Sequence, residues 1–289
     1  MQRIHIVNPV AGKGYAESKI KSGSNDIIYH TKSAGDGERY AFDITQKYDE
    51  CELVVYGGDG SICDVVNGVM RAGTNDRCII SIVEAGNGND LARCLTEEPT
   101  PIDVIKFNDR YCANMINIGF DCSVVEKTDK YKKIPLIKGS LSYTFAIADV
   151  LFRRMWHELE IEAIDANGDA VKFEKGKYLL LGIANGQFCG GGYKSASAAD
   201  LSDGLLDLLV IKNIGRPRFV SLIGDYKKGT HLNLDGTVNP RFADILSYVK
   251  CKSINIKGMQ AICTDGEVVK CNEVAISPIH SAIRIKKHI

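Results

Sequence analysis

Leu53-Val54-Val55-Tyr56-Gly57-Gly58-Asp59-Gly60-Ser61 is an apolar run that stops abruptly at a cluster of glycines, and an apolar-periodic stretch over residues 62–70 follows it. A short run with no polar alternation suits a strand covered on both faces, as in a parallel sheet. Glycines just past its end permit a sharp turn and let backbone N–H groups come close to a ligand. Ser61 reads as the cap of the helix that follows. Strand, glycine turn and helix together make half of a βαβ unit.

The same pattern repeats on either side. Residues 4–7 form a strand-like run ending in Asn8-Pro9-Val10-Ala11-Gly12-Lys13-Gly14, and residues 26–30 form a short second strand. Residues 37–48 carry apolar positions near helical spacing. Residues 78–83 are another buried run, ending in Gly86-Asn87-Gly88-Asn89-Asp90 before residues 91–95. Residues 1–103 therefore read as an α/β domain with an open parallel sheet. From residue 104 onward, strand-like segments at 104–107, 111–118, 159–165, 178–184, 205–211 and 253–256 are separated by turns such as Asn108-Asp109 and Asn167-Gly168. Two helical stretches, 141–155 and 217–229, interrupt them. Residues 104–289 read as a β-rich, sandwich-like second domain.

Composition sets the outer bounds. In 289 residues, Lys+Arg and Asp+Glu both number 36, so no overall charge draws the chain to nucleic acid or to a membrane. The opening Met1-Gln2-Arg3-Ile4 runs straight into a strand, without the pattern of a signal peptide. No apolar stretch reaches the roughly 18 residues of a membrane span. A cytoplasmic protein is the expectation. The ten cysteines include no C-x-x-C pair, and most stand in apolar runs, where a reduced Cys behaves as a small hydrophobe.

Glycine loops at three strand ends point to phosphate. In an open parallel sheet ligands bind beyond the carboxyl ends of the strands. Backbone amides and the start of the next helix then supply positive potential. The loops at 8–14, 57–61 and 86–90 all meet this description, and Lys13 adds a cation. No segment fits the P-loop pattern G-x-x-x-x-G-K-[ST]. The dinucleotide pattern G-x-G-x-x-G fails at its third glycine in both Gly12-Lys13-Gly14-Tyr15-Ala16-Glu17 and Gly86-Asn87-Gly88-Asn89-Asp90-Leu91. The site is a nucleotide site of another design.

Taken together, Asn8-Pro9 with Gly12-Lys13-Gly14, Gly57-Gly58-Asp59-Gly60-Ser61, and Gly86-Asn87-Gly88-Asn89-Asp90-Leu91-Ala92-Arg93 resemble the diacylglycerol kinase catalytic family, which includes soluble bacterial lipid kinases and the sphingosine and ceramide kinases. Thr31-Lys32-Ser33-Ala34-Gly35-Asp36, Gly190-Gly191-Gly192, Asp203-Gly204-Leu205-Leu206-Asp207 and Asp265-Gly266-Glu267 extend the likeness in order along nearly the whole chain. The resemblance implies transfer of the ATP γ-phosphoryl group to the hydroxyl of a diacylglycerol-like lipid, and a place in phospholipid metabolism. It implies that Asn8, Pro9, Val10, Ala11, Gly12 and Lys13, with Gly57, Gly58, Asp59, Gly60, Ser61, Ile62 and Cys63, hold ATP. Thr31, Asn87 and Asp90 would also adjoin the nucleotide. Asp203 would ligate a structural Mg²⁺ with the help of Asp200 and Leu205, since Mg²⁺ favours oxygen ligands. Glu267, with Asp265 beside it, would take the proton from the lipid hydroxyl, and Asp59 belongs to the same catalytic group. Asp59 and Asp90 make physical sense beside phosphates only with a cation between them.

Three positions depart from the family pattern: Glu84 and Ser197 stand where Pro is usual, and Asn87 where Thr is usual. On the lipid side, Lys127, Lys130, Lys132, Lys133 and Lys138 precede the helical stretch that ends near Trp156, and each lysine near an anionic leaflet is worth about 1 kcal/mol. A lipid alcohol and transient contact with a membrane surface are the expected partners, with no nucleic acid and with a homodimer allowed. Two rival readings stay open: a kinase of a soluble acceptor resembling NAD kinase, which shares the Gly-Gly-Asp-Gly segment, and a nucleotide-binding regulatory protein without turnover.

Overall fold

Val- and Ile-rich runs in the first hundred residues pair side by side because each is apolar on both faces and can be covered by helices above and below. In the computed structural model, β1 (Gln2–Val7), β2 (Ile27–His30), β3 (Cys51–Gly57) and β4 (Cys78–Glu84) form a parallel sheet in the order β4-β3-β1-β2. The structure describes residues 1–131, 133–134, 140–153, 155–233 and 235–288, and only the main chain of Lys13, Asp129, Ser140 and Tyr143. The short helix α1 (Tyr15–Ser18) follows β1, α2 (Asp36–Thr45) follows β2 and α3 (Asp59–Ala72) follows β3. Ile62, Val65, Val66 and Val69 recur at helical spacing on α3 and are buried against the sheet. Gly68 lets α2 pack tightly on α3, because a Cβ there would lie 2.4 Å from the carbonyl oxygen of Glu38.

The helix start differs from the sequence expectation. Gly58, not Ser61, is the N-cap of α3, and no side chain caps it. Ser61 lies within the first turn, where its Oγ accepts a hydrogen bond from Asn8 Nδ2 at 3.2 Å.

Beyond residue 99 the strands are mainly antiparallel: β5 (Thr100–Phe107), β6 (Arg110–Cys112), β7 (Met115–Gly119), β8 (His157–Asp165), β9 (Ala170–Ala184), β10 (Leu206–Lys212), β11 (Leu246–Lys257), β12 (Ile262–Thr264), β13 (Glu267–Val269) and β14 (Glu273–Lys287). The first half of β9 pairs with β8 and its second half with β7 and β10, while β8 also pairs with β11. This folds the sheet over an apolar core that includes Ile116, Leu181, Leu208 and Ile254. A mixed α/β architecture with a parallel amino-terminal sheet and a β-rich remainder is therefore present, as the sequence implied.

Two features were not anticipated. Residues 111–118 are two strands, not one, because the backbone at Ala113 and Asn114 turns its N–H groups to the Asp265 carboxylate. Residues 120–131 are a helix, α4 (Phe120–Tyr131), which packs with α5 (Ser140–Phe152) and α6 (Arg216–Lys228) in one apolar layer against the strands. The long strand β14 runs antiparallel to β5 and β11, then parallel to β4, with Arg284 to Lys287 in register with Ile79 to Ile82. It thus ties both halves of the chain into one hydrogen-bonded sheet.

Candidate active site

The ends of β1, β3 and β4 bring the three glycine loops into contact. Asn8 N donates to Tyr56 O at 2.9 Å, Thr31 N to Val7 O at 2.9 Å and Ala85 N to Gly57 O at 3.0 Å, so each loop is tied to its neighbour's strand. Gly58 and Gly86 meet backbone to backbone, since a Cβ on Gly86 would lie 2.3 Å from the Cα of Gly58. The amino-terminal end of α3 opens into this cluster and adds the partial positive charge of its unpaired N–H groups. Pro9, Val10, Ala11 and Gly12 lie just beyond β1, Val10 80% exposed, and Gly60 lies in the first turn of α3. Thr31 is half-buried at the end of β2. The side chain of Lys13 lies outside the described residues. The side chains of Ile62 and Cys63 are both buried, Ile62 in the core under α3 and Cys63 with its thiol toward Tyr111 O.

The carboxylates divide by what already holds them. Asp59 Oδ1 accepts from the backbone N–H groups of Asp90 at 2.9 Å and Leu91 at 3.4 Å. Burial, and then the charges of Asp90 and Asp265, push its carboxyl up to about 6. Asp90 bridges the two halves of the protein, accepting from Gly191 N at 2.8 Å and Gly192 N at 2.7 Å. Asp265 is saturated, with Cys112 Sγ, Ala113 N, Asn114 N and Met115 N all donating to it. Its backbone is left-handed (φ 47°), as is that of Gly266 (φ 91°), which gives the tight hairpin between β12 and β13. Asp265 therefore positions the turn and offers no idle oxygen for proton transfer. Glu267, the next residue of the motif but one, is half-buried, and its Oε1 lies 3.7 Å from where a Cβ on Gly60 would stand. Burial raises its carboxyl above the ordinary range, Asp64 reinforces this, and Arg110 opposes it.

The loop expected to hold a structural Mg²⁺ is neutralised by the protein itself. Lys250 Nζ lies 2.6 Å from Asp203 Oδ2 and 3.3 Å from Asp207 Oδ1. Asp203 Oδ1 accepts from Leu205 N at 3.0 Å, and Asp200 Oδ1 accepts from the N–H and hydroxyl of Ser202, each at 2.9 Å. The loop is further pinned by buried Asp103, which accepts from Gly204 N and Ser281 N. Both carboxylate oxygens of Asp203 and one of Asp200 therefore already have donors, and the cation beside Asp203 is an ammonium. No group of three His, Cys, Asp or Glu side chains among the described residues could hold a metal ion.

The three departures from the family pattern are accommodated. Glu84 pairs with Lys287 at 2.6 Å, so its charge is offset before it reaches the phosphate loops. Asn87 is exposed at the loop surface, and Ser197 Oγ donates to Gly229 O at 3.1 Å.

From these loops a cavity of about 640 Å³ runs into the helical layer. Asp59, Asn87, Gly88 and Asp90 stand at one end, and Phe120, Leu179, Phe219, Leu222 and Phe242 line the interior. Asn114, Asn117 and Asp121 also line it, and none was singled out from sequence. Arg93 Nε stands 3.8 Å from Asp90 Oδ1. Only the helix at 120–131 turns Asp121 from a loop residue into a cavity residue, and that helix has no clear periodic signal. Of the basic stretch, Lys127 pairs with Asp149 and Lys130 with Glu126, Lys133 is exposed, and Lys132 and Lys138 lie outside the described residues. Trp156 lies under Lys177, whose Nζ is 4.3 Å from the ring centre.

Comparison with known proteins gives a consistent assignment. Residues 3–116 match the diacylglycerol kinase catalytic domain, and residues 114–285 match the YegS C-terminal NAD kinase beta sandwich-like domain. A protein of Alcanivorax borkumensis named "Probable lipid kinase YegS-like" is 30% identical over 195 residues, which is 63% of this chain but only 61% of that protein. A Bacillus subtilis protein named diacylglycerol kinase is 27% identical over 259 residues, 81% of each. A crystal structure of a Bacillus anthracis diacylglycerol kinase superposes with a TM-score of 0.68 at 22% identity, covering 98% of this chain and 96% of the other, and so supports the fold. The loops, the bridging carboxylates and both matched domains agree: the chain belongs to the diacylglycerol kinase catalytic family, with a YegS-type carboxyl-terminal domain.

Proposed function

We propose that the protein is a lipid kinase that transfers the γ-phosphoryl group of ATP to a lipid hydroxyl. The observation that carries this reading is the continuity of one cavity from the phosphate loops and Asp59 into an apolar interior among α4, α5 and α6. A soluble, polar acceptor would leave that interior without a partner, which weighs against the NAD-kinase-like alternative.

ATP lies along the three loops, with its phosphates toward the start of α3. Phosphoryl transfer demands chiefly positioning and charge neutralisation. Among the described residues no donor reaches Asp59 Oδ2, in a site where burial already disfavours its charge. That fits Mg²⁺ arriving with ATP: Asp59 would hold it, and it would offset the negative charge of carboxylate and phosphates. Glu267, with its raised pKa and no saturating donors among the described residues, accepts the proton of the acceptor hydroxyl. The hydroxyl oxygen forms the new bond to γ-phosphorus as the bond to ADP breaks. Asp90 holds the Gly191–Gly192 backbone against the nucleotide end of the cavity.

Delivery of the lipid falls to the helical layer. Leu141, Phe145 and Phe152 on α5 and Val220 on α6 are exposed, Phe152 by 85%, and such a patch on one layer suits contact with a lipid surface. The test is transfer of label from γ-labelled ATP, with Mg²⁺, to lipid alcohols in mixed micelles. Labelled lipid is the expected result; ATP binding without transfer to any lipid would overturn the proposal.

A further inference from the structure

Ten thiols are free in the fold, and two of them stand apart from the rest by position. Cys51 and Cys78 are register partners at the first position of β3 and of β4, and their Sγ atoms lie 3.2 Å apart. Both side chains enter the same core as Ala41, Ile44 and Val69, so they share one face of the sheet. Other thiols are spent on oxygen acceptors, Cys112 on Asp265 and Cys63 on Tyr111 O. Reactivity separates the pair as well. Burial is the chief cause that lifts eight of the ten thiols above their ordinary range, Cys122 and Cys251 each to about 12. Between Cys51 and Cys78 the mutual hydrogen bond comes first: it holds the proton on Cys51 and moves Cys78 toward thiolate, with Thr74 and Arg77 supporting that shift against burial. Thiolate is the nucleophilic form.

The backbone is already placed for a bond between them. Paired strands lie about 4.8 Å apart, inside the roughly 4.4–6.8 Å between Cα atoms that a disulfide spans. The sulfurs have to close by only about 1 Å, with β3 and β4 left in register. Access comes from the end of the sheet. Cys51 follows exposed Glu50, Cys78 follows half-buried Arg77, and Cys51 N donates to Arg77 O at 3.3 Å. An open cleft lined by Gln2, Tyr48 and Glu50 reaches the same end. Strand ends open locally at far lower cost than the whole fold, so a water-sized oxidant can enter although the two residues are 0% and 1% exposed.

We infer that Cys51 and Cys78 form an oxidation site, which hydrogen peroxide closes to a disulfide that staples β3 to β4. The Cys78 thiolate attacks one peroxide oxygen, the O–O bond breaks, and the sulfur becomes a sulfenic acid as the first water leaves with the thiol proton. The Cys51 sulfur then attacks that sulfur, the S–S bond forms as the S–O bond breaks, and the Cys51 proton leaves in the second water. Two thiols are oxidised by two electrons and one peroxide is reduced to two waters. The bond closes a ring over a sequence separation of 27 that contains α3 and the Gly-Gly-Asp-Gly turn. It lies about 20 Å from the loops at 57–61 and 86–90, at roughly 3.3 Å per residue along the strands. The staple therefore holds together the two strands that carry these loops without touching the loops themselves. None of this depends on the lipid-kinase reading.

The experiment treats the full chain with hydrogen peroxide at neutral pH, quenches it, and alkylates the remaining thiols after denaturation. Peptide mass mapping should find Cys51 joined to Cys78 with the loss of two hydrogens, and dithiothreitol should restore both thiols. The melting midpoint should rise by about 5 °C or more, as closing a loop of this length in the unfolded chain predicts. Cys51→Ala and Cys78→Ala should each lose both the link and the rise, and the wild-type map stands without them if either folds poorly. Absence of the link, a link to any other cysteine in its place, or a Cys51–Cys78 link that leaves the melting midpoint unmoved would overturn the inference.

Discussion

Replacing Asp59 with Asn should make the protein inactive and, at alkaline pH, more stable. The carboxyl rises from its ordinary 3.8 to about 6 on folding, chiefly through burial. At about 1.4 kcal/mol per pH unit, that rise is worth about 3 kcal/mol. The folded state holds this proton more tightly than the unfolded chain, so the protonated carboxyl favours folding. As pH rises from 3.8 through about 6 that advantage disappears, and at pH 8 the folded protein carries the full cost of a buried charge. Asn keeps the acceptor oxygen for the N–H groups of Asp90 and Leu91 and removes the charge. The variant should therefore gain up to about 3 kcal/mol on the wild type at pH 8, about 6 °C in melting temperature for a chain of this size, and only about 1 kcal/mol at pH 4.5. Paired thermal melts without nucleotide at the two pH values measure the difference directly. An offset that is the same at both would refute the argument that the charge of Asp59 is held against its solvation.

Three further outcomes follow from the same geometry. Glu267→Gln should lower kcat by about a hundredfold or more with little change in the KM for ATP, and the wild-type rate should climb with pH through a point above the usual carboxylate range; an unchanged rate in the variant would remove Glu267 from proton transfer. Lys250→Met should cost about 3 kcal/mol, because it leaves the buried Asp207 and the Asp203 carboxylate without their cation. Chelators should leave the wild-type melting curve in place, and a drop as large as that of the variant would show that a metal holds this loop. Gly86→Ala should abolish ATP binding measured by calorimetry, since its Cβ would lie 2.3 Å from the Gly58 Cα, and retained affinity would mean that the two loops separate freely.

The nucleotide end of the molecule was legible because its signal is local. An apolar run and the glycines that end it stand next to each other in the chain, so β1, β3, β4 and their loops could be read directly. The roles within Asp265-Gly266-Glu267 could not. Two carboxylates two residues apart look alike until the fold gives one of them four donors from the β6–β7 junction and leaves the other half-buried beside α3. Ser61 shows the same limit at short range, as the helix starts early because glycine at 58 turns without a side-chain cap. Asp203 shows it at long range, where a lysine 47 positions away supplies the charge that a metal was expected to supply. Asp121 depended on α4, whose apolar positions crowd into its first half and leave no helical period to find.

The strand β14 has a consequence for how the molecule comes to exist. Ribosomes make residues 1–272 before any of it, and through that interval β4, with its sequence Cys-Ile-Ile-Ser-Ile-Val-Glu, is an uncovered sheet edge. Such an edge is a template for pairing with other chains. Closing it requires contact between segments at opposite ends of the chain, the slowest kind of step in folding. Residues 284–288 then do more than cover it: Lys287 takes up Glu84 at 2.6 Å and His288 N donates to Ile82 O at 2.8 Å, just ahead of the third phosphate loop. The nascent protein has its nucleotide-binding residues early and its working nucleotide site late, which makes newly synthesised chains the population most exposed to aggregation.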